Sequence, residues 1–575
     1  MSTNWRAFRP ELLLVAAILL LQALLLLHIG SRNSPVLDEV GHLTAGIRVW
    51  RTGRFDLYRV NPPLVRVIAA APAALMSPAV DWSSAAGPEW QRREMEVGLD
   101  FLEKNGRGAF WYYGAARTCC IPLALLGAVI CWRWSRALYG PAAGVCSCLM
   151  WTVQPLVLGW GATFTPDVAA SSIGLLAGYL FWQWLRAPST ENTLLAATGL
   201  ALAELTKMTW IVLFPLWAIL WAYWRTRTKG PSAIQLVIVL CVALCLLNAG
   251  YGFSGTGTPL GNMMFISATL NGSQTDAPGN RFVGTLLERF PVPFPKDYLL
   301  GIDQQKADFE RGGESYLLGE WAGRGWWYYY TVALLVKTPL GTLCSCALAA
   351  TIAMKTKGSL PLRHDEIILL APAITVFLLI SSQTGFSRYT RYALPCVPFA
   401  IVFSSRLLHS RCSRWTSSAA WALTLWTVTS SALALPNSLS YFHELAGGIS
   451  GGTRILLDSN VDWGQDLFRL NDWLTNHPNA RPVYIAHFGQ VSPAQAGLPT
   501  SGWPVGPSSS TIDAPFPPGW YAISRHRLLD RSGLFDYFQK CTPIAEVGGA
   551  FVIFRVPASE VGRPGTDAAR MHSND

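Results

Sequence analysis

The sequence predicts an α-helical polytopic membrane protein that ends in a small external α/β domain. Three observations predict it. Across 575 residues, 51% are hydrophobic and only 14% charged, where a soluble domain carries about a quarter charged residues. Apolar runs recur at close to the ~20 residues that a bilayer-crossing helix requires. After residue 435 the pattern changes to short alternating runs of the strand type. Disordered, coiled-coil and secreted disulfide-scaffold chains are excluded. The net charge of +10, from 45 basic and 35 acidic residues, would suggest nucleic acid in a soluble protein. Here the basic residues cluster at the ends of apolar runs, and no nucleic-acid partner is expected.

The first run, Leu12 to Ile29, follows Arg6 and Arg9 and reads as an uncleaved signal anchor, since no small-residue cleavage site follows it. Further spans are predicted near 116–134, 141–162, 167–185, 193–207, 209–224, 233–250, 331–353, 366–382, 391–406 and 415–435, about eleven in all. Short cytoplasmic loops should hold the excess of Lys and Arg. Arg133, Arg136, Arg186, Arg225, Arg227, Lys229, Lys355, Lys357, Arg363, Arg406, Arg411 and Arg414 all fall on the side of Arg6 and Arg9. The expected topology therefore has a cytoplasmic amino terminus and an external, periplasm-facing carboxy-terminal domain, in a multi-pass protein of the cell membrane.

Residues 1–435 then form the membrane domain, with external loops 30–112 and 251–330. The first loop predicts two amphipathic helices, Glu39 to Arg51 and Pro62 to Leu75, lying along the interface. The second is rich in Gly, Pro and aromatics and predicts little regular structure; its Trp326 to Tyr330 run has the composition of an interfacial belt. Residues 436–560 predict the α/β domain. Ile455–Asn460, Pro482–Phe488, Trp520–Ser524 and Ala550–Val556 read as strands, and Leu467, Leu470, Trp473 and Leu474 share one helical face. Residues 561–575 are expected to be disordered. The twelve cysteines include no CxxC pair and lie mostly in apolar runs, so neither a zinc site nor a disulfide framework is indicated.

Asp38 and Glu39 follow the first span directly. A carboxylate at a membrane surface can accept the proton of an attacking hydroxyl; the alternative is a helix cap. The whole loop, DEVGHLTAGIRVWRTGRFDLYRVNPPLVRVIAAAPAAL, resembles the GT-C membrane glycosyltransferases of the branch that holds the protein O-mannosyltransferases and the lipid A aminoarabinose transferases. The likeness continues in order through GLALAELTKMTW, LLVKTPL, SRYTRYALPCVP and LLDSNVDWGQDL. This resemblance implies a GT-C fold and inverting transfer of a sugar from a polyprenyl-phosphate donor to a protein, lipid or glycan acceptor on the outer face. It implies that Asp38 is the catalytic base or acceptor-orienting carboxylate, that Glu39 supports it, and that Asp167 is a second acidic group near the site. Related enzymes often carry Lys or His before the paired prolines; this chain has Asn61, and that donor-phosphate contact is not carried over.

A lipid-bound phosphate leaving group calls for cations at the outer face. Ionisable groups in apolar segments are costly and therefore functional candidates, which points to Lys207 and Lys337; Arg388 and Arg391 add guanidinium forks suited to phosphate. The competing readings are a helical pair of Lys207 with Glu204, snorkelling of Lys337 and interfacial anchoring of the arginines. No spaced metal motif is present, although a divalent ion on Asp38 and Asp167 stays open, because some GT-C enzymes use one and others do not. Asp458, Asp462 and Asp466 follow a strand and a helix turn and read as structural. Two other functions stay open: a transporter or lipid flippase, which would place polar residues at mid-depth rather than in outer loops, and a non-catalytic member of the same family.

Overall fold

The computed structural model describes residues 5–272, 277–355, 362–499 and 516–558. Lys357 and the expected disordered tail 561–575 lie outside the described residues.

α1 (Trp5–Arg32) leads into three helices, α2 (Leu37–Thr52), α3 (Leu64–Met76) and α4 (Glu94–Asn105). The sequence expects the first two of these three. The third hides in a charged stretch, EMEVGLDFLEKN, whose buried side is only Val97, Phe101 and Leu102 with Glu94 and Gly98. Gly46 makes the α2–α3 crossing possible, because a Cβ there would stand 2.2 Å from the Arg66 carbonyl oxygen.

The bundle continues through α5 (Ala109–Tyr139), α6 (Pro141–Val153), α7 (Pro155–Gly161), α8 (Pro166–Arg186), α9 (Thr190–Thr206), α10 (Leu213–Arg225) and α11 (Ala233–Gly250). α12 (Ala268–Asn271), α13 (Lys296–Arg311) and the hairpin of β1 (Ser315–Leu317) and β2 (Glu320–Ala322) follow. The 16-residue α13 is more regular structure than the second external segment predicts. Next come α14 (Tyr329–Lys337), α15 (Leu340–Lys355), α16 (Leu362–Ser382), α17 (Val397–Ser404) and α18 (Arg414–Leu433). Tyr329 and Tyr330 are each 1% exposed, so the expected aromatic belt is turned inward at its end, while Trp327 stays exposed.

Each expected span falls on helical backbone. By length and composition, five helices among the described residues suffice to cross a membrane alone, and seven if each of two bent pairs is one span. Those pairs are α6 with α7, bent by 54°, and α14 with α15, bent by 115°. α9 and α10 are shorter, and α17 is flanked by 3-10 turns. The bundle interior is filled by Trp134, Trp151, Trp184, Trp210 and Trp217, each under 2% exposed. Leu13, Leu24, Ile234, Leu378 and Leu425 face outward, an apolar surface that water would not tolerate and lipid would cover. The chain is an integral membrane protein. Glu11 near the start of α1 meets Arg136 near the end of α5 at 2.8 Å, and Arg406 pairs with Glu366 near the start of α16.

In the tail, α19 (Gly448–Gly452), α20 (Leu467–Asn476), β3 (Val483–Ala486), β4 (Gly519–Ser524), α21 (Arg525–Leu528), α22 (Asp536–Gln539), β5 (Ala545–Val547) and β6 (Phe551–Val556) succeed one another. The sheet order is β3-β4-β6-β5, with β3 and β4 parallel and the other pairs antiparallel. Three of the four expected strands form. The fourth, Ile455–Asn460, does not: Asp458–Asn460 is a 3-10 turn, because Asn460 spends its side chain on Thr390 and on the carbonyls of Arg388 and Leu457. Leu467, Leu470 and Leu474 of α20 share one hydrophobic core with Phe551 and Ile553 of β6 and with Val40, Leu43, Phe101 and Tyr113 of the amino-terminal helices. The sheet is thereby fastened to α2, α4 and the start of α5.

Candidate functional site

Asp38 stands in the first turn of α2, where the positive end of a helix favours a carboxylate. The neighbouring Glu39 turns the other way. Its Oε2 accepts the Val36 amide at 2.9 Å, satisfying one orphan donor of the helix start, and its Oε1 accepts the Phe164 amide at 3.1 Å. The Arg117 guanidinium donates to both oxygens, at 2.9 and 2.5 Å, and to the carbonyls of Gly30, Asn33 and Ser34. Glu39 is fully buried and does not line the cavity. Its place is that of a clamp holding the first turn of α2 beside Asp38, outside the cavity lining.

The turn is also held by the distant tail. The Leu37 amide donates to the Trp463 carbonyl at 3.1 Å, the Ser34 amide to the Gln465 carbonyl at 2.9 Å, and the Ser34 hydroxyl to the Gly464 carbonyl at 2.6 Å. Residues 461–466, expected to belong to the external domain, are thus woven into the site.

Asp38 opens on a cavity of about 790 Å³. Its Oδ2 accepts from Arg391 Nη1 and, at 3.4 Å, from Trp463 Nε1; its Oδ1 accepts from the Tyr58 hydroxyl at 3.3 Å. Burial pushes the Asp38 pKa up, but the Arg391 charge, the adjacent His42 and the hydrogen bonds from Arg391 and Trp463 together hold the carboxyl below its ordinary value. Beside it, burial pushes the His42 imidazole down to about 3, so this ring is neutral at physiological pH.

Asp167 follows Pro166 in the first turn of α8 and lines the same cavity. Lys207 Nζ donates to its Oδ1 at 2.5 Å, and Arg391 Nη1 stands 3.9 Å from its Oδ2. Lys207 cannot make the helical pair with Glu204, because α9 ends at Thr206 and Lys207 is already extended, with φ −155° and ψ 127°. Glu204 instead accepts the Tyr298 hydroxyl at 2.7 Å. The four charges therefore alternate: Asp38, Arg391, Asp167, Lys207. Arg391 is caged by the rings of Trp160, Tyr389 and Trp463 at 4.9, 4.8 and 5.2 Å, and Lys207 lies 4.8 Å from the Tyr392 ring.

Arg388 also lines the cavity, its guanidinium 4.1 Å from the Phe386 ring centre. Among the described residues its Nε has no hydrogen-bond partner and its side chain forms no ion pair. Of the four expected phosphate-binding cations, it is the one whose charge is uncommitted among the described residues. Lys337 departs from expectation. It is 1% exposed and does not line the cavity; its ammonium donates to the carbonyls of Leu439 at 2.9 Å and Asn460 at 2.5 Å. It does not snorkel to the surface. It ties α14 to the tail, where two backbone carbonyls offer what water cannot.

Sequence reasoning passed over Asp458, His42, Tyr58, Trp463 and His526 as site groups, yet all five line the cavity. His42 and Tyr58 lie within the quoted DE loop and were within reach of the motif; Asp458 and Trp463 carry no local signal beyond the DSNVDWGQDL string. Among the described residues, no group of three or more His, Cys, Asp or Glu side chains is gathered as a metal site. The Arg391 guanidinium contacts both Asp38 and Asp167, so those two carboxylates already share a cation.

The arrangement can hold an anion and orient a hydroxyl in one enclosure. Residues 113–250 match the family described as dolichyl-phosphate-mannose-protein mannosyltransferase. The matched stretch runs from within α5 to the end of α11 and includes Asp167 and Lys207. No curated protein sequence matches the chain. Among solved structures, the chain is similar to ArnT from Cupriavidus metallidurans bound to undecaprenyl phosphate, at 12% identity and a TM-score of 0.45, over 98% of this chain and 100% of that one. The protein O-mannosyltransferase Pmt1-Pmt2 complex of S. cerevisiae is similar at 15% identity and a TM-score of 0.31, over 44% and 33%. The archaeal oligosaccharyltransferase AglB from Archaeoglobus fulgidus is similar at 12% identity and a TM-score of 0.39, over 73% and 56%.

Proposed function

We propose that this protein is a membrane glycosyltransferase of the GT-C type that moves one sugar from a polyprenyl-phosphate donor to a hydroxyl acceptor on the non-cytoplasmic side. The observation that carries the reading is a single cavity, lined by Asp38, Asp167, Lys207, Arg388 and Arg391, with Asp167 at the end of α8 opposite Arg186. The family match across residues 113–250 and the DE loop support it.

In this reading the acceptor hydroxyl donates to the free side of Asp38 Oδ1 and attacks the anomeric carbon opposite the phosphate. The carbon–oxygen bond to the phosphate breaks, its electron pair stays on the phosphate, and the sugar is inverted in one step. The hydroxyl proton passes to an aspartate of the cavity wall. The polyprenyl phosphate gains a second negative charge as it leaves, and that is where preplaced cations count: losing one such group costs on the order of 100-fold in rate. Arg388 is free to meet that charge at once; Arg391 and Lys207 can lean toward it from their carboxylates. The acceptor is a protein, lipid or glycan, and the tail segments on the cavity wall are placed to select it.

The test is transfer by the full-length protein in membranes supplied with radiolabelled polyprenyl-phosphate hexoses and pentoses. Label should move from donor to a new product, and Asp38→Asn should abolish that while the protein still accumulates. Wild-type-like transfer by Asp38→Asn would remove Asp38 from the reaction. Counterflow of donor without bond formation would identify a flippase instead.

A further inference from the structure

Asp38, the carboxylate nearest the attacking hydroxyl in the proposed reaction, is badly placed to keep a proton. Its oxygens already accept from Arg391, Tyr58 and Trp463, and protonation would take the nearer of two anions away from the buried Arg391 charge. Asp167 is committed to Lys207 in the same way. The transfer therefore needs a carboxylate on the cavity wall whose neutralisation strands no cation.

Asp458 meets that need. It lines the cavity, is only partly buried, and forms no ion pair among the described residues. Its Oδ1 accepts the Ser459 amide at 2.8 Å, and Oδ2 has no bond among the described residues. Its backbone is left-handed, φ 62°, which an aspartate adopts at a cost and which is uncommon outside glycine. That conformation persists because Asn460, Leu457 and Val461 are tied on either side, and such conformations cluster at active sites and ligand clamps. The groups whose charges reach it are Arg388, Arg391, Asp38, Asp462, Tyr329 and Tyr389.

We propose that Asp458 is the proton acceptor of the transfer: Asp38 orients the hydroxyl, and Asp458 takes the proton as the new glycosidic bond forms. The balance is complete without another reactant. The acceptor loses H⁺ to the Asp458 carboxylate, the sugar exchanges its phosphate oxygen for the acceptor oxygen, and the phosphate departs with the bonding pair. The local environment suits the task, since burial, only partly offset by Arg388, brings the Asp458 pKa up to about 6, near the working pH at which a general base is most effective.

This inference rests on the sugar-transfer reading above, and the experiment separates the two. The full chain in lipid nanodiscs is assayed from pH 5 to 8 with the donor panel and native membranes as acceptor, and binding of undecaprenyl phosphate is measured in parallel. Asp458→Asn keeps the Ser459 bond and tolerates the left-handed backbone, so it should fold. It should lower kcat on the order of 100-fold or more, leave undecaprenyl phosphate binding within about threefold, and erase an acid limb near pH 6 that wild type displays; Asp458→Glu should restore part of the rate. An unchanged kcat and acid limb in Asp458→Asn, with wild type active, overturns the Asp458 assignment alone. No turnover by wild type on any donor overturns the transfer reading, and this assignment with it.

Discussion

Arg391 donates to Asp38 across 353 positions of sequence and stands 3.9 Å from Asp167 with the same nitrogen. One guanidinium therefore neutralises two carboxylates from two helix starts. Removing it should leave Asp38 buried without a cation and Asp167 with Lys207 alone. Arg391→Ala is expected to cost about 3–5 kcal/mol, read as a lower thermal midpoint in detergent. Adding Asp38→Asn to it should recover part of the loss. A double variant no more stable than Arg391→Ala would deny the coupling.

Glu39 and Arg117 form another buried pair, at 2.5 Å, and neither faces the cavity. Glu39→Gln should therefore lower accumulation and thermal stability, by about 3 kcal/mol, with transfer per folded molecule falling less than in Asp38→Asn. If Glu39→Gln folds normally and is inactive, Glu39 belongs with the reacting groups after all.

Arg388 and Lys337 should behave oppositely. Arg388 has no side-chain bond to lose among the described residues, so Arg388→Ala is expected to leave stability within about 0.5 kcal/mol and to weaken undecaprenyl phosphate binding roughly tenfold. Lys337→Met removes two hydrogen bonds that tie α14 to the tail and should destabilise by about 1.5–3 kcal/mol per charged bond. Phosphate binding by the surviving folded fraction should be unchanged. The reverse pattern, measured by thermal shift and ligand binding together, would put Lys337 back at the donor.

Asp462 is 1% exposed, and its Oδ2 lacks a partner among the described residues. Burial raises its pKa to about 7. Because the folded value lies above that of the unfolded chain, the folded state holds the proton more tightly. The stability this contributes is full below the ordinary carboxylate pKa and is lost as pH rises through about 7. Wild type should therefore melt at lower temperature at pH 8 than at pH 5, and Asp462→Asn, which retains an acceptor for the Gly464 amide, should show a shallower fall. Parallel slopes in the two proteins would exclude Asp462 as the source.

The site was half legible. Asp38 could be found because a carboxylate pair directly after an apolar run is a local signal, whereas Asp167 came only from the family resemblance. Lys337 misled for a physical reason: a lysine in an apolar segment announces that it must be satisfied, but backbone carbonyls satisfy it as well as phosphate does. Asp458 was passed over because its string suggests a strand, and only the left-handed turn at φ 62° aims it at the cavity. The α4 helix was missed because few of its residues are apolar, and its burial comes from packing against α2.

What the sequence determined by itself is the division between lipid-facing helices and polar connecting segments, because transfer into a bilayer depends on composition added up over about twenty neighbouring residues. The tertiary structure alone decided which cation meets which carboxylate. Those pairings act over 3 to 4 Å between segments that lie far apart along the chain, and no nearby pattern encodes them. Arg391 closing on Asp38, and the tail returning to hold the start of α2, are decisions of that second kind.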